Sequence, residues 1–558
     1  MDRDVAQPWR SRVAPPRPRR CDAGAGAVIL LVMAQVAVLG SCSPGRRPGP
    51  PDGGSDGGGP GPHLGACRSA TTCDPLDRGL VRTCDPDGPG MPLYQCGADL
   101  TCSMGRCISP SCATIEKQAS ISGCLFYTAE LDNVDSDDLQ PSLIVVTNTS
   151  QSPASISLEV RVPGQDWAAV QSMTIPGGRA GSFTIANQHV EGGGIGAALA
   201  RRVISDAPVT VMLLESADLD ETSTSSAGTL VLPVHALGTH YMAMSYRQQT
   251  TPEIDELPGG RGGAAEAAIV ATQDQTMFRI WPPGVPLTAD PQVIGLERDG
   301  DVYQLVSQND GDDLTGTTII GDKPFALFSG NVTTTYGKSS VGIHSPDMAM
   351  EQMMPVGAWS KSYVAVRLPA QSETCDSTLG GSSFGFWRFL AAQTTVLHFS
   401  SRTPIDDLAV TAGIVYELPV PSADDFVVRA DAPFLATQGM DCEATLSSAI
   451  PADAAGTLVQ LFALPPNFDH VLALVRRNDS DFAGPVILDR EDITNQFVPL
   501  DDVFEVARIE IPSCFGPIDR CVHRLTGAFG ISLRGMDVVC GYAVTFPTWV
   551  QCVGDGCY

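Results

Sequence analysis

The residues best suited to chemistry in this 558-residue chain are its 17 cysteines. Cys67, Cys73, Cys84, Cys96, Cys102, Cys107 and Cys112 crowd into one short segment, and Cys124 follows. An even set of eight behind an apolar leader predicts disulfides formed in an oxidising compartment. Apolar residues are sparse between them, so cross-links replace a core there. No C-x-x-C pair has zinc-like spacing. The pairing stays open, because eight cysteines allow roughly a hundred connectivities. Seven more lie later, at Cys375, Cys442, Cys514, Cys521, Cys540, Cys552 and Cys557. Cys514 with Cys521, and Cys540 with Cys552 or Cys557, are local candidates. Cys375 and Cys442 are candidates to close a loop over a third repeat.

Other reactive patterns are weaker. Gly381-Ser382-Ser383-Phe384-Gly385 fits G-x-S-x-G, but a nucleophile elbow needs a helix after it, and Phe386–Ala392 reads as a strand. The segment is a glycine-rich loop. The eight histidines are scattered, and His235 and His240 suit packing better than a metal. Two acidic clusters stand out: Asp132, Asp135, Asp137 and Asp138, then Asp310, Asp312 and Asp313 around Gly311. Hard cations want several such oxygens at once. Neither cluster has EF-hand spacing, so solvated turns are expected, with calcium as the alternative and no other cofactor. Sequons stand at Asn148, Asn331 and Asn478. No catalytic set emerges, and a non-enzyme is expected.

The formal charge of −28 argues against nucleic acid, since phosphates would be repelled. The chain opens with a polar stretch rich in arginine, then an apolar run from Ala23 to Leu39. That run is short for a spanning helix and suits a signal peptide. It ends in Leu39-Gly40-Ser41-Cys42, which resembles the bacterial lipobox. The resemblance implies lipidation of Cys42 and cleavage after residue 41. Ser43 then favours the outer membrane. Acyl chains anchor because each buried CH₂ contributes about 0.8 kcal/mol. Residues 42–66 are a Gly/Pro-rich linker without a core, and 67–122 form the cysteine-rich segment.

From residue 123 to 558 short apolar runs alternate with Gly, Pro, Asp and Asn. Ile156–Val162 alternates with period two, the mark of a half-buried strand. One phrase recurs: VISDAPVTVMLL at Val203–Leu214, TIIGDKPFALFSGN at Thr318–Asn331 and VVRADAPFLAT at Val427–Thr437. Its prolines Pro208, Pro324 and Pro433 lie 116 and 109 residues apart. Proline cannot donate to a ladder, so the phrase is expected to be a turn into a buried strand, its Asp capping that turn. A strand pair precedes each copy: Ile144–Val160, Ile269–Ile280 and Phe389–Phe399. A second phrase closes each unit, with Pro233 eight residues before Tyr241 and Pro355 eight before Tyr363. A worn fourth copy of the Asp-x-Pro phrase is expected near Asp537. The expectation is an all-β chain of tandem antiparallel β-sandwich-like units of about 110 residues, with a β-propeller as the alternative.

These phrases together resemble the N-terminal domain of the IgGFc-binding protein family. Gly123–Tyr127 with Asp132-Asn133 looks like its opening. Asp206–Val209 with Leu232-Pro233 and Ala236–Tyr241 looks like its first unit. Asp322–Asn331 with Glu351-Gln352, Pro355-Val356 and Trp359 looks like its second. The resemblance spans roughly residues 123–470 and implies an extracellular binding or adhesive module, linked in mucosal proteins to the Fc part of immunoglobulin G. The reading is an exported lipoprotein held at a bacterial outer membrane or cell surface by its lipid, binding a protein or glycan. A secreted hydrolase on a β scaffold and a structural envelope component are the alternatives.

Overall fold

The computed structural model describes residues 71–558 apart from 86–89, 119, 134–139, 191, 216–225, 250–262, 335–346, 369–384, 421–424, 441–444, 453–455, 466–467, 479–483, 515–516, 537–540 and 547–558. The leader, Cys42, the linker and Cys67 lie outside the described residues. So do Cys375, Cys442, Cys540, Cys552 and Cys557, most of the G-x-S-x-G stretch, and Asp135, Asp137 and Asp138.

The cysteine-rich segment is three short strands, a hairpin and one helix, Pro110–Ile115. Bridges Cys73–Cys102 and Cys96–Cys107 tie its strands together, and Cys84 is also disulfide-bonded. Cys112–Cys124 then joins the helix to the first strand of the body. Far along the chain, Cys514 and Cys521 close a short loop.

The body is all-β and antiparallel, and the first unit shows the plan. Its long strand Arg201–Glu215 serves two sheets. The first half lies between Gly123–Thr128 and Ala154–Val160, with Ala168–Ile175 outermost. The second half lies between Ser142–Asn148 and Ala227–Val231, with Ala180–Ile185 outermost. The two four-stranded layers face each other as a sandwich. Ala154, Ile156 and Leu158 point inward and are buried, while Ser155 is exposed. That alternation is the period two seen in the sequence. Ser142–Asn148 and Ala154–Val160, expected as a pair, lie instead in opposite sheets and never pair with each other.

The Asp-x-Pro phrase is where the long strand changes sheets. It is not a turn ahead of a strand. Arg201–Glu215 and Thr318–Thr334 run through it unbroken, with register shifts at that point. An irregularity there bends the strand, and proline is tolerated because no ladder donor is needed. Asp206 and Asp322 do not cap locally. Their carboxylates accept backbone N–H bonds from the neighbouring strand, Asp206 from Ser155 at 2.8 Å and Asp322 from Met277 at 2.9 Å. The two bonds occupy the same position in successive units. In unit three the strand breaks into Phe426–Arg429 and Phe434–Met440, on either side of Asp431-Ala432-Pro433. In unit four the long strand is Val522–Met536. Its partner changes between Phe529 and Gly530, next to Gly527 at φ 133°. The sheet change of this unit therefore sits at Gly527–Gly530, while Asp537, near which the worn copy was expected, lies outside the described residues.

The Pro–Tyr phrase links units. Ala227–Val231 completes unit one, a short 3₁₀ turn follows Pro233, and Gly238–Met242 pairs into unit two. Asp347–Gln352 and Ser362–Ala365 repeat this between units two and three. The tyrosine locks each crossing: the Tyr241 hydroxyl accepts from Gly238 N–H at 2.9 Å, and Tyr363 from Ser360 N–H at 3.0 Å.

The four units close on themselves. Their last strands are Ala227–Val231, Asp347–Gln352, Thr445–Ser448 and Gly541–Phe546. The first packs against the second and fourth, and the third packs against the same two. Because these strands are covered on both sides, Ala227–Val231 and Asp347–Gln352 are buried throughout. One apolar core runs from Val145, Val211 and Leu230 of unit one into Phe462, Leu464 and Leu472 of unit four. Each unit is a sandwich, so single-sheet propeller blades are not needed to explain it.

Candidate functional site

The residues nominated for chemistry are largely used in packing. His235 is buried in the 3₁₀ turn, and burial, with Arg106 nearby, pulls it down to about 4. Burial lowers His240 as well. The second acidic cluster is spent internally. Asp312 accepts from Gln308 and Asn309, and Asp313 pairs with Arg388 at 2.6 Å. Among the described residues no group of three or more His, Cys, Asp or Glu side chains is placed to hold a metal ion. Asn148 and Asn331 are fully buried, and their amides donate to backbone carbonyls, so these sequons have structural duties. Asn478 is exposed.

The units are joined by charge pairs, of whose members the sequence flagged only Asp313. Arg161 reaches Asp301 at 2.5 Å between units one and two. Arg388 of unit three is buried and binds Asp313, Thr315 and the Ser245 carbonyl of unit two. Burial pushes Asp313 upward, but Arg388 more than offsets this and holds the carboxyl below its ordinary range. Arg508 of unit four bonds Asp425 of unit three. Glu351 differs. It lies on the closing strand of unit two, accepts from Ser448 Oγ of unit three at 3.2 Å, and is pushed up to about 8 by burial. The family resemblance singled out Glu351-Gln352, but nothing in the sequence marks the burial, since an isolated Glu reads as surface.

A groove of about 590 Å³ lies where the cysteine-rich segment meets unit one. Its position follows from the Cys112–Cys124 bridge and from the helix Pro110–Ile115, which packs on the long strand. Ser109 caps that helix by accepting from Cys112 N–H. The floor is the outer face of Ala154–Val160 and Ala168–Ile175, where Ser155 stands opposite Thr174 and Ser157 opposite Ser172. Leu100 and Ile108 form part of the wall. Arg106 at the rim is neutralised by Glu116 at 2.9 Å. The arrangement offers hydroxyls, an exposed strand edge and apolar walls, which suits recognition.

The IgGFc binding protein family profile matches residues 227–535, from the closing strand of unit one through most of the long strand of unit four. The human IgGFc-binding protein is 23% identical over 282 residues, covering 50% of this chain and 4% of that relative. This chain therefore spans a small part of that protein. The profile match starts at residue 227, so the resemblance read at 123–226 lies outside it, and it extends past residue 470 into unit four. With more than half of its length matched, the chain belongs to the IgGFc-binding protein family.

Proposed function

We propose that this protein is a non-catalytic binding module for a protein ligand, tethered at a bacterial cell surface through lipid on Cys42. The family match over residues 227–535 carries the binding part. The human relative is named for binding the Fc part of immunoglobulin G. The ligand here need not be the same, because the match covers 4% of that protein. A closed set of packed sandwiches suits binding, since binding residues are commonly carried on loops set on such a scaffold. The export part rests on the leader, the Leu39–Cys42 sequence and the disulfides, which form in oxidising compartments. A pull-down with the full chain, followed by titration of each captured partner, tests the binding reading. Saturable capture of a protein is expected, and a chain that captures none overturns it. Palmitate labelling of wild type and Cys42→Ala tests the anchor; equal labelling sinks it. Calcium at the cluster beginning with Asp132 is tested by the shift in unfolding midpoint on chelation, and an unchanged midpoint rejects it.

A further inference from the structure

We propose that the Cys514–Cys521 bridge is a redox-operated clasp on the seam that closes the ring. A dithiol reductant opens it and releases the turn Ile518–Arg520 of unit four from the strand Ala180–Ile185 of unit one. The clasp stands apart from the binding reading and does not depend on it.

Ala180–Ile185 is an outermost strand, paired on one side with Ser142–Asn148. Such an edge presents unpaired N–H and C=O groups, and a loop laid over it covers them. Here the cover comes from another unit. The turn lies in the connection from Phe504–Ile511 to Val522–Met536 and packs on Ala180–Ile185. Inside it, Arg520 N–H donates to the Pro517 carbonyl and Cys521 N–H to the Ile518 carbonyl, each at 3.0 Å. Two contacts hold it to unit one. Ile518 is buried in the core that the two units share. The Asp519 carbonyl accepts from Arg179 at 3.4 Å, an exposed bond longer than the usual range.

The bridge braces what these contacts hold weakly. Cys521 ends the turn and is buried, whereas Cys514, ahead of it, is half-buried. The feet of the connection are fixed independently. Ser513 N–H donates to Asp469 at 3.0 Å, and the Cys521 carbonyl accepts from Leu464 N–H at 2.9 Å. Opening the bridge therefore leaves both feet in place and returns conformational freedom to the turn between them. A thiolate reaches the more exposed sulfur. Attack on Cys514 Sγ forms a mixed disulfide and expels the Cys521 thiolate, which takes a proton. The second thiol of the reductant, as thiolate, then attacks the reductant sulfur of that mixed disulfide. The reductant leaves as a cyclic disulfide, and Cys514 departs as thiolate and takes the other proton. Two electrons and two protons pass from the dithiol to the bridge. An oxidising compartment keeps the clasp shut, and one that holds thiols reduced leaves the seam unlatched.

The test reads amide exchange by mass spectrometry in the full chain with and without dithiothreitol, the state of each cysteine being mapped by alkylation of a parallel aliquot. Reduction should speed exchange at Arg520 and Cys521 about tenfold or more. It should also speed exchange in Ala180–Ile185, while Ala227–Val231 keeps its rate, and reoxidation should restore the slow rates. The double variant Cys514→Ser with Cys521→Ser should show the fast rates in both conditions, which separates this bridge from the others that dithiothreitol reaches. Should that variant not fold, a dithiothreitol titration of wild type decides, with exchange at Arg520 and Cys521 following alkylation of Cys514 and Cys521 rather than of the other cysteines. Unchanged exchange at the turn with the bridge open overturns the proposal. So does a bridge that stays closed until the whole chain unfolds. A double variant whose turn still responds to dithiothreitol assigns the effect to another bridge and overturns it too.

Discussion

Replacing Glu351 with Gln should stabilise the protein more strongly as pH rises. Glu351 is 7% exposed at the seam between units two and three. One oxygen accepts from Ser448, and the other has no hydrogen-bond partner. Among the described residues no cation pairs with it. Burial raises its pKa from 4.5 to about 8, so the folded chain keeps a proton that the unfolded chain releases. Where the native state binds more protons, stability falls as pH rises. The loss begins near the unfolded value of 4.5 and is complete above about 8. At about 1.4 kcal/mol per pH unit, the full window corresponds to at most about 5 kcal/mol, of which roughly 3 is lost by pH 7. Gln has the same shape and cannot ionise. Urea unfolding of the full chain, followed by tryptophan fluorescence, reads this directly, because Trp359 and Trp387 are buried on either side of that seam. The two proteins should be nearly equal at about pH 5, and the Glu351→Gln variant should lead by a margin that grows and then levels off above about pH 8. Subtracting the curves removes titrations common to both. A difference that does not change with pH refutes the reasoning.

Three further outcomes follow from the same geometry. Asp322→Ala removes the acceptor for Met277 N–H and should lower stability by about 1 kcal/mol in chemical denaturation, whereas Asp322→Asn should cost little because its amide oxygen still accepts. Arg388→Met strands Asp313 without its partner and should cost about 3–5 kcal/mol by the same assay, a loss that Asp313→Asn in the same chain partly restores. Deleting residues 456–558 should raise amide exchange in Ser142–Asn148 of unit one, because Phe462 and Ala463 pack there against Val145 and Val211. Unchanged exchange in that strand would reject the closed ring.

The sequence exposed local order well and spatial order poorly. Period two in Ile156–Val162 announced a half-buried strand because solvent touches only one face there. The Asp-x-Pro phrase was visible as a repeat, but its role was misread. Proline near an Asp signals a turn in most chains, and only the long-range bond from Met277 to Asp322 shows that the strand continues. The strands before it were read as pairs for a similar reason. Adjacent strands usually do pair, whereas here the chain crosses between layers after Asn148 and after Ala271. The burial of Glu351 and Arg388 was illegible because it depends on neighbours from another unit. The groove was likewise invisible, since it exists only where Cys112–Cys124 sets the cysteine-rich segment on unit one.

Ring closure changes what the repeat means. In an open array each unit contacts only its sequence neighbours, and end units need polar caps. Here unit four lies on unit one, so a degenerate fourth copy need not be a cap. Its closing strand Gly541–Phe546 meets Ala227–Val231, and its Asp519 carbonyl accepts from Arg179 of unit one. This explains why the sheet change at Gly527–Gly530 can do without the Asp-x-Pro phrase while the long strand survives. The strand is held by partners on both halves, Gly456–Ala463 and Asp469–Arg477, and the bend needs only a residue that tolerates φ 133°. Gly527 supplies that conformation, so the sheet change is kept by a different local chemistry. Closure also commits the inner strands to packing.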